Sequence, residues 1–212
     1  MNKKSYSALV TATILGMLLT TSANANLIQN GGFEATPTGA TLGGGSFWQY
    51  YSASSITGWS GSNLELWTNN GQYEGEVHAE LNAHASTNTA WSIFQTFNTI
   101  SGQRYDLSFA YKARRGNNNA SNEVFSVNVD NTASDLWTVS DHVTNSWKTF
   151  SQSFLATSAT TTLRFTAVTP STGTLGNFLD DIRVTVPEPG ALALLGLGLL
   201  GLGIARKRNK RA

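Results

Sequence analysis

The fold class is decided by the stretch SGQRYDLSFAYKAR, residues 101–114. Its apolar side chains, Tyr105, Leu107, Phe109 and Tyr111, alternate with polar or small residues. A period of two is typical of a β-strand that turns one face to a core and the other to solvent. The stretch therefore predicts a half-buried strand in an antiparallel sheet.

Similar alternation recurs along the chain between clusters rich in Gly, Asn, Ser and Thr, and no long amphipathic helix is visible. Eight or more short strands in about 160 residues favour a jelly-roll β-sandwich over a seven-strand immunoglobulin domain. The fold class is therefore predicted as all-β, with two antiparallel sheets. The predicted strands are 27–34, 47–51, 63–68, 76–82, 90–98, 104–113, 123–130, 147–155, 161–168 and 177–186.

The first 25 residues have the features of a signal peptide. Lys3 and Lys4 precede an apolar stretch, and Ala23-Asn24-Ala25 gives the small-x-small pattern that signal peptidase requires. Cleavage after Ala25 would start the mature chain at Asn26. The sequence therefore predicts export by the Sec route.

The last 26 residues, 187–212, have the opposite polarity. An apolar segment at 190–205 is followed by a basic stub at 206–212, which favours the cytoplasmic side. As a helix the segment would span about 24 Å at ~1.5 Å per residue, less than the ~30 Å hydrocarbon core. Its Leu-Gly repetition also lowers helix propensity. A transient hold in the inner membrane is favoured, with an ordinary short anchor as the alternative.

The exported segment, 26–186, carries seven basic and twelve acidic side chains, so its formal charge is about −5. An acidic domain without a basic stripe argues against nucleic acid as a partner. The chain contains no cysteine, which excludes disulfides and thiolate metal sites. Its stability must come from its core, with an oxygen-ligated ion as a possible addition.

One carboxylate near the end of the chain is expected to be buried. Asp180 has the parity of Ile182 and Val184 in the last predicted strand, so it should point into the sandwich. A buried carboxylate is usually paired or metal-bound. Glu34, after a Gly-Gly turn, could meet it around Ca²⁺ if the first and last strands are adjacent. The alternative is that Asp180 and Asp181 are solvated or bonded to turn amides.

Several motifs together resemble the galactose-binding-like, carbohydrate-binding-module type of jelly roll, and its DUF642-like relatives in particular. They are NGGFE at 30–34, GW at 58–59, AELN at 79–82, QTF at 95–97, SGQRYDLSFAYKAR at 101–114, SW at 146–147 and NFLDDIRV at 177–184. The resemblance implies a β-sandwich. It also implies a structural Ca²⁺, with Glu34, Asp180 and Asp181 at the matching positions.

The tail resembles the PEP-CTERM sorting signal of exopolysaccharide-producing Gram-negative bacteria. Pro187, Glu188 and Pro189 precede the glycine-leucine segment and the basic end. The resemblance implies recognition by a membrane-embedded exosortase and cleavage near this triplet, followed by release or transfer of the domain. The two prolines keep the segment extended and exposed, as a protease substrate requires.

Sugar binding requires an aromatic face for stacking and polar partners for hydroxyls. Trp67 and Tyr73 are predicted as exposed platforms, with Glu80 and Arg114 as polar partners. Arg114 could equally be a solvated strand end or an ion-pair partner of Glu80. The wider set of aromatic candidates also includes Trp48, Tyr50, Tyr51, Trp59 and Trp137. Trp59, Trp91 and Trp147 are expected to serve mainly as core residues.

No catalytic motif is present. The glutamates fall into no spacing that defines a glycosidase pair, and neither the histidines nor the serines form a known catalytic pattern. The protein is therefore predicted not to be an enzyme. The hypothesis is an exported protein that binds carbohydrate or matrix polysaccharide at the cell surface or in the matrix. The alternative is a structural matrix or surface protein that acts through protein contacts.

Overall fold

The computed structural model describes residues 25–37, 47–68, 71–81, 91–114, 123–129, 137–170, 176–187 and 198. Asn26–Pro187 forms one compact unit. Its described part contains a short 3-10 helix, Ala53–Ser55, and eleven strands. The strands are β1 Trp48–Tyr51, β2 Ser60–Gly61, β3 Leu64–Trp67, β4 His78–Glu80, β5 Ser92–Asn98, β6 Arg104–Lys112, β7 Val124–Val129, β8 Trp137–Val139, β9 Lys148–Leu155, β10 Thr160–Thr169 and β11 Phe178–Thr185.

The strands form two antiparallel sheets, which confirms the predicted all-β jelly-roll sandwich. One sheet has six strands in the order β1-β3-β4-β11-β6-β9, and the other has five in the order β2-β5-β10-β7-β8. Nine of the ten predicted strands correspond to β1, β3 to β7 and β9 to β11. The sequence pattern missed β2 and β8, because two or three residues are too few to show a period.

The core lies between the sheets and is built by the predicted alternation. Tyr105, Leu107, Phe109 and Tyr111 of β6 all belong to it, as do the predicted core residues Trp59 and Trp91. Phe109 stacks on Phe150 of β9 and meets Phe165 of β10 edge-on. Aromatic rings thus join the two sheets across the centre of the sandwich.

The predicted strand at 27–34 is wrong. Asn30 and Phe33 have left-handed backbone conformations, which no regular strand accommodates. The segment nevertheless lies along β11, because Leu27 N–H donates to Val184 O and Ile182 N–H donates to Gly31 O. The first and last parts of the domain are therefore adjacent, as the sequence predicted.

A bulge in β11 reverses the predicted orientation of Asp180. The register with β6 shifts between Asp180 and Arg183, and Asp181 has a φ of 49°. The extra residue moves Asp180 out of phase with Ile182 and Val184, which remain in the core. Asp180 is fully buried, but it lies on the opposite face of the sheet, where it contacts the 73–74 backbone.

Candidate functional site

The candidate site lies on the face of the six-stranded sheet that points away from the five-stranded sheet, called here the outer face. Directly paired residues form a row across five strands of this face: Tyr50, Glu65, Glu80, Phe178 and Lys112. Period-two alternation places them there, because their neighbours in each strand belong to the core. Two aromatic and three charged side chains thus share one row.

Trp67 is the centre of the aromatic part of the outer face. Trp48 stacks on it with ring centroids 6.1 Å apart, and the Arg114 guanidinium lies 4.7 Å from its ring centroid. Its indole N–H donates to Glu65 at 3.1 Å. Trp67 is consequently only 9% exposed, whereas Trp48 and Tyr50 on the edge strand β1 are 39% and 50% exposed.

Glu80 and Arg114 form the ion pair that the sequence allowed. Their charged groups are 3.4 Å apart, and the Glu80 side chain is fully buried while that of Arg114 is largely so. Glu80 also accepts the Gly176 N–H at 2.8 Å. Burial raises the pKa of Glu80 well above its usual range, Arg114 opposes the rise, and the neighbouring Glu65 adds to it. The pair therefore holds a buried, partly neutralised acid beneath the aromatic cluster.

A second aromatic cluster lies next to the first on the outer face. The Lys112 ammonium lies 4.5 Å from the Trp147 ring centroid and donates to Gly71 O. His78 packs edge-on against Phe178 and Trp147. Burial, followed by the charge of Lys112, lowers the pKa of His78 to about 3. Trp147, expected mainly in the core, thus lies on the outer face.

The carboxylates predicted to hold Ca²⁺ are bonded to protein groups. Asp180 accepts the Tyr73 and Glu74 amides through one oxygen and the Asp181 amide through the other. Glu34 accepts the amides of Glu76 and Val77 through one oxygen. Glu34 and Asp180 therefore hold two ends of the same turn, which is the second reading that the sequence left open for Asp180.

Asp181 is directed elsewhere and forms an ion pair with Arg183 at 2.6 Å. Among the residues that the structure describes, no group of three or more acidic, histidine or cysteine side chains is arranged to hold a metal ion. Glu34 retains one carboxylate oxygen without an assigned amide. Binding of Ca²⁺ by these carboxylates therefore stays a prediction.

Burial raises the pKa of Asp180 to about 7, with its three amide bonds opposing the rise and Glu74 adding to it. The Glu74 carboxylate lies close by, since an added Cβ on Gly32 would fall 2.5 Å from Glu74 Oε2 and 3.9 Å from Asp180 Oδ1. The buried Asp180 thus lies near a second carboxylate, that of the exposed Glu74.

The four predicted sugar-binding residues lie on or beside the outer face. Tyr73 is 46% exposed, as predicted, and meets Trp147 edge-on, whereas Trp67 is buried and Glu80 is fully buried. Trp48 and Tyr50, both members of the wider candidate set, form the exposed aromatic surface beside Trp67. The sequence shows the alternation of Trp48 and Tyr50 in β1, but it does not show that β1 pairs with β3.

Comparison with known proteins identifies the family. Residues 26–185 match the family described as "Protein of unknown function (DUF642)". The chain belongs to the DUF642 family. The match covers the whole compact unit except its last two residues.

The tail of this DUF642 protein matches the PEP-CTERM protein-sorting motif at residues 185–208. The motif supports processing by an exosortase, export and transient anchoring in the membrane. Pro187 is the only residue of the predicted triplet that the structure describes, and Glu188 and Pro189 lie outside the described residues. The predicted segment 190–205 also lies outside them except for Gly198, and no helix in the described part is long and apolar enough to cross a membrane.

One curated relative of the DUF642 domain is Halomucin of Haloquadratum walsbyi, 28% identical over 165 residues. The match covers 75% of this chain but only 2% of Halomucin. The chain therefore spans a small part of that relative's length.

Carbohydrate-binding modules are among the solved structures to which this chain is similar. One is the CBM61 module in complex with β-1,4-galactotriose, 13% identical, with a TM-score of 0.46 over 77% of this chain and 99% of that one. Another is the xylan-binding CBM22-1 domain from Paenibacillus barcinonensis, 12% identical, with a TM-score of 0.46 over 79% of this chain and 98% of that one.

Proposed function

We propose that this DUF642 protein binds polysaccharide non-catalytically on the outer face, at the β1 end. The observation that carries the proposal is the exposed pair Trp48 and Tyr50 beside the Glu80–Arg114 ion pair. An aromatic face stacks on the apolar C–H face of a sugar ring, and the Arg114 side chain, which is 19% exposed, donates to its hydroxyls while the buried Glu80 holds Arg114 in place. The contacts of Trp48 with Trp67, and of Trp67 with Arg114, hold the platform in one orientation before ligand arrives.

A non-catalytic role is supported by the position of the acids on this face. Glu65 and Glu80 are cross-strand neighbours and are the nearest approach to a carboxylate pair in the site. They are 2% and 0% exposed, and both are engaged with Trp67, Arg114 or Gly176. A glycosidase acid must reach the glycosidic oxygen, which these buried groups do not.

The experiment is a binding assay on a glycan array and on the producer's own exopolysaccharide, with and without Ca²⁺. Trp48→Ala and Tyr50→Ala should each weaken binding at least about tenfold, because each removes a stacking surface. Phe47→Ala is the matched control, since Phe47 is an exposed aromatic residue that comes before the first residue of β1 paired with β3. Absence of binding to every glycan, or equal losses in all three variants, would defeat the proposal.

The destination that follows from this function is the cell surface or the extracellular matrix, reached after the tail is removed. The competing hypothesis is a structural matrix protein that acts through protein contacts. It predicts that matrix retention persists in Trp48→Ala, whereas polysaccharide binding predicts that retention falls.

A further inference from the structure

The long outer strand β9 has an open edge. It pairs with β6 through eight consecutive residues without a shift in register, and it is the last strand of its sheet. In the described part of the chain, nothing pairs with its second edge. An open edge of this length is a template for another strand.

The backbone groups on that edge can be assigned by residue. Ala156 donates its N–H to Gln103 O and accepts the Gly102 N–H, so it points toward the β6 side. Antiparallel strands alternate, which directs the N–H and C=O groups of the odd-numbered residues away from β6. Those residues are Thr149, Ser151, Ser153 and Leu155, and all four are exposed.

Natural edge strands are usually protected by charges, proline or a bulge. β9 has one charge, Lys148 at its start, and that ammonium is paired with Asp141. No charged residue or proline occurs from Thr149 to Leu163. By contrast, β2 and β8 are only two and three residues long. The β1 residues Trp48, Gln49 and Tyr50 have further contacts.

We propose that β9 pairs with β9 of a second copy of this chain, in antiparallel register about a two-fold axis at Gln152. This register places Thr149 opposite Leu155 of the partner copy and Ser151 opposite Ser153. All outward N–H and C=O groups of the four residues are then satisfied by one another.

A second copy is favoured over other occupants because the edge is self-complementary. The Gln152 amide carries both a donor and an acceptor, so two copies can bond to each other at the axis. Phe150 lies opposite Phe154 of the second copy, on the core side of the sheet. From Thr149 to Leu155 the edge also carries no charge in a domain of about −5, so two acidic copies can approach there with the least repulsion.

The two-fold axis is perpendicular to the sheet, so both outer faces lie on the same side of the continuous twelve-stranded sheet. The two β1 strands are then about 50 Å apart, at ~4.8 Å per strand. Two copies of the proposed polysaccharide site would therefore face one polymer and bind it with avidity. The dimer itself does not depend on that function.

Disulfide trapping on the full chain tests the register. The chain has no cysteine, so Gln152→Cys introduces a single thiol. At the axis the two Cα atoms lie about 4.5 Å apart, within the range that a disulfide spans. Gln152→Cys should form a linked dimer on a non-reducing gel, whereas Asn98→Cys, exposed on β5 of the other sheet, should stay monomeric. Equal linkage in both variants would overturn the proposal.

Charge insertion tests the interface by light scattering in detergent. Thr149→Lys with Ser151→Lys should raise the dimer dissociation constant at least tenfold and leave the melting temperature unchanged, because both positions are exposed. Asn98→Lys should leave the dimer intact. The proposal fails if wild type is monomeric at every concentration, or if the dimer persists in the double variant, which would place the contact elsewhere.

Discussion

Both faces of the six-stranded sheet contain buried side chains, but the chemistry of these side chains differs between the two faces. The inner face is aliphatic and aromatic, and its packing follows from period-two alternation alone. The outer face buries five charged or titratable side chains, which are Glu65, His78, Glu80, Lys112 and Asp180. A charge can be buried only where a partner compensates it. The stability of the outer face therefore depends on specific pairs of groups, whereas that of the inner face depends on how well its side chains fill the available volume.

The bulge in β11 determines which residues of that strand face outward. A change at this bulge should therefore disturb the separation between the inner and outer faces more than any other change. Gly31 packs on that bulge, and a Cβ there would lie 2.0 Å from Ile182 O. Gly31→Ala should therefore lower the free energy of unfolding by at least about 4 kcal/mol, measured by denaturant titration. Gly102→Ala, which meets no atom within 4 Å at a φ of +82°, should cost only about 1 kcal/mol. Equal losses would show that the bulge has no special role.

Breaking the ion pair should distinguish the two faces. Arg114→Met leaves Glu80 buried without its cation and should cost about 3 kcal/mol. Adding Glu80→Gln should recover most of that loss, since the second change removes the uncompensated charge. On the inner face, Leu107→Ala should cost a similar amount, but a cavity has no second residue whose neutralisation restores it. A double-mutant cycle in thermal unfolding gives the coupling.

If Arg114→Met and Glu80→Gln were simply additive, the pair would contribute nothing specific. The outer face would then be an ordinary core in which charged groups happen to lie. The methionine retains an apolar contact with Trp67, so loss of stacking is kept small in this comparison.

Only the outer face should respond strongly to pH through a carboxylate. The pKa of Asp180 is about 7, above its ordinary value, so the folded state binds a proton that the unfolded state has released between about pH 4 and 7. The contribution of Asp180 to the free energy of unfolding is therefore lost as pH rises through that window.

His78 and His142 act in the opposite direction, since burial lowers the pKa of each to about 3 and 4. The free energy of unfolding of wild type minus that of Asp180→Asn, measured across pH 4–8, removes the contribution of both histidines. This difference should fall as pH rises, whereas a constant difference would contradict the raised pKa of Asp180.

The smallest expected effect concerns the turn that joins the outer face to the start of the chain. If Ca²⁺ binds near Glu34 and Asp180, then Ca²⁺ at ten times its dissociation constant should stabilise the fold by about 1.4 kcal/mol. Chelation should reverse the gain, and Glu34→Gln should abolish it while the fold persists. A melting temperature that ignores both Ca²⁺ and chelator would exclude the ion.

The sequence predicted the inner face well because that face depends only on a period of two. The core positions of Tyr105, Leu107, Phe109 and Tyr111 could be predicted without knowing which strands pair with β6. Asp180 was misplaced because a single extra residue at the bulge reverses the parity, and nothing in its composition indicates the left-handed Asp181.

The outer face was predicted less well because its contacts join distant parts of the chain. Trp67 is covered by Trp48 through the pairing of β1 with β3, and by Arg114, which follows the end of β6. Residue types could suggest a sugar site, but exposure depended on which strands became neighbours. The Glu80–Arg114 pair could be suggested only as one of two alternatives for the same reason.

The bond between Leu27 and Val184 has a consequence for evolution. A domain whose two ends are hydrogen-bonded neighbours can be inserted into a loop of another protein without separating the flanking chain. The same geometry allows it to form a small part of a very long polypeptide. A unit whose ends meet in this way can therefore be moved between polypeptides without a change in the path of its own chain.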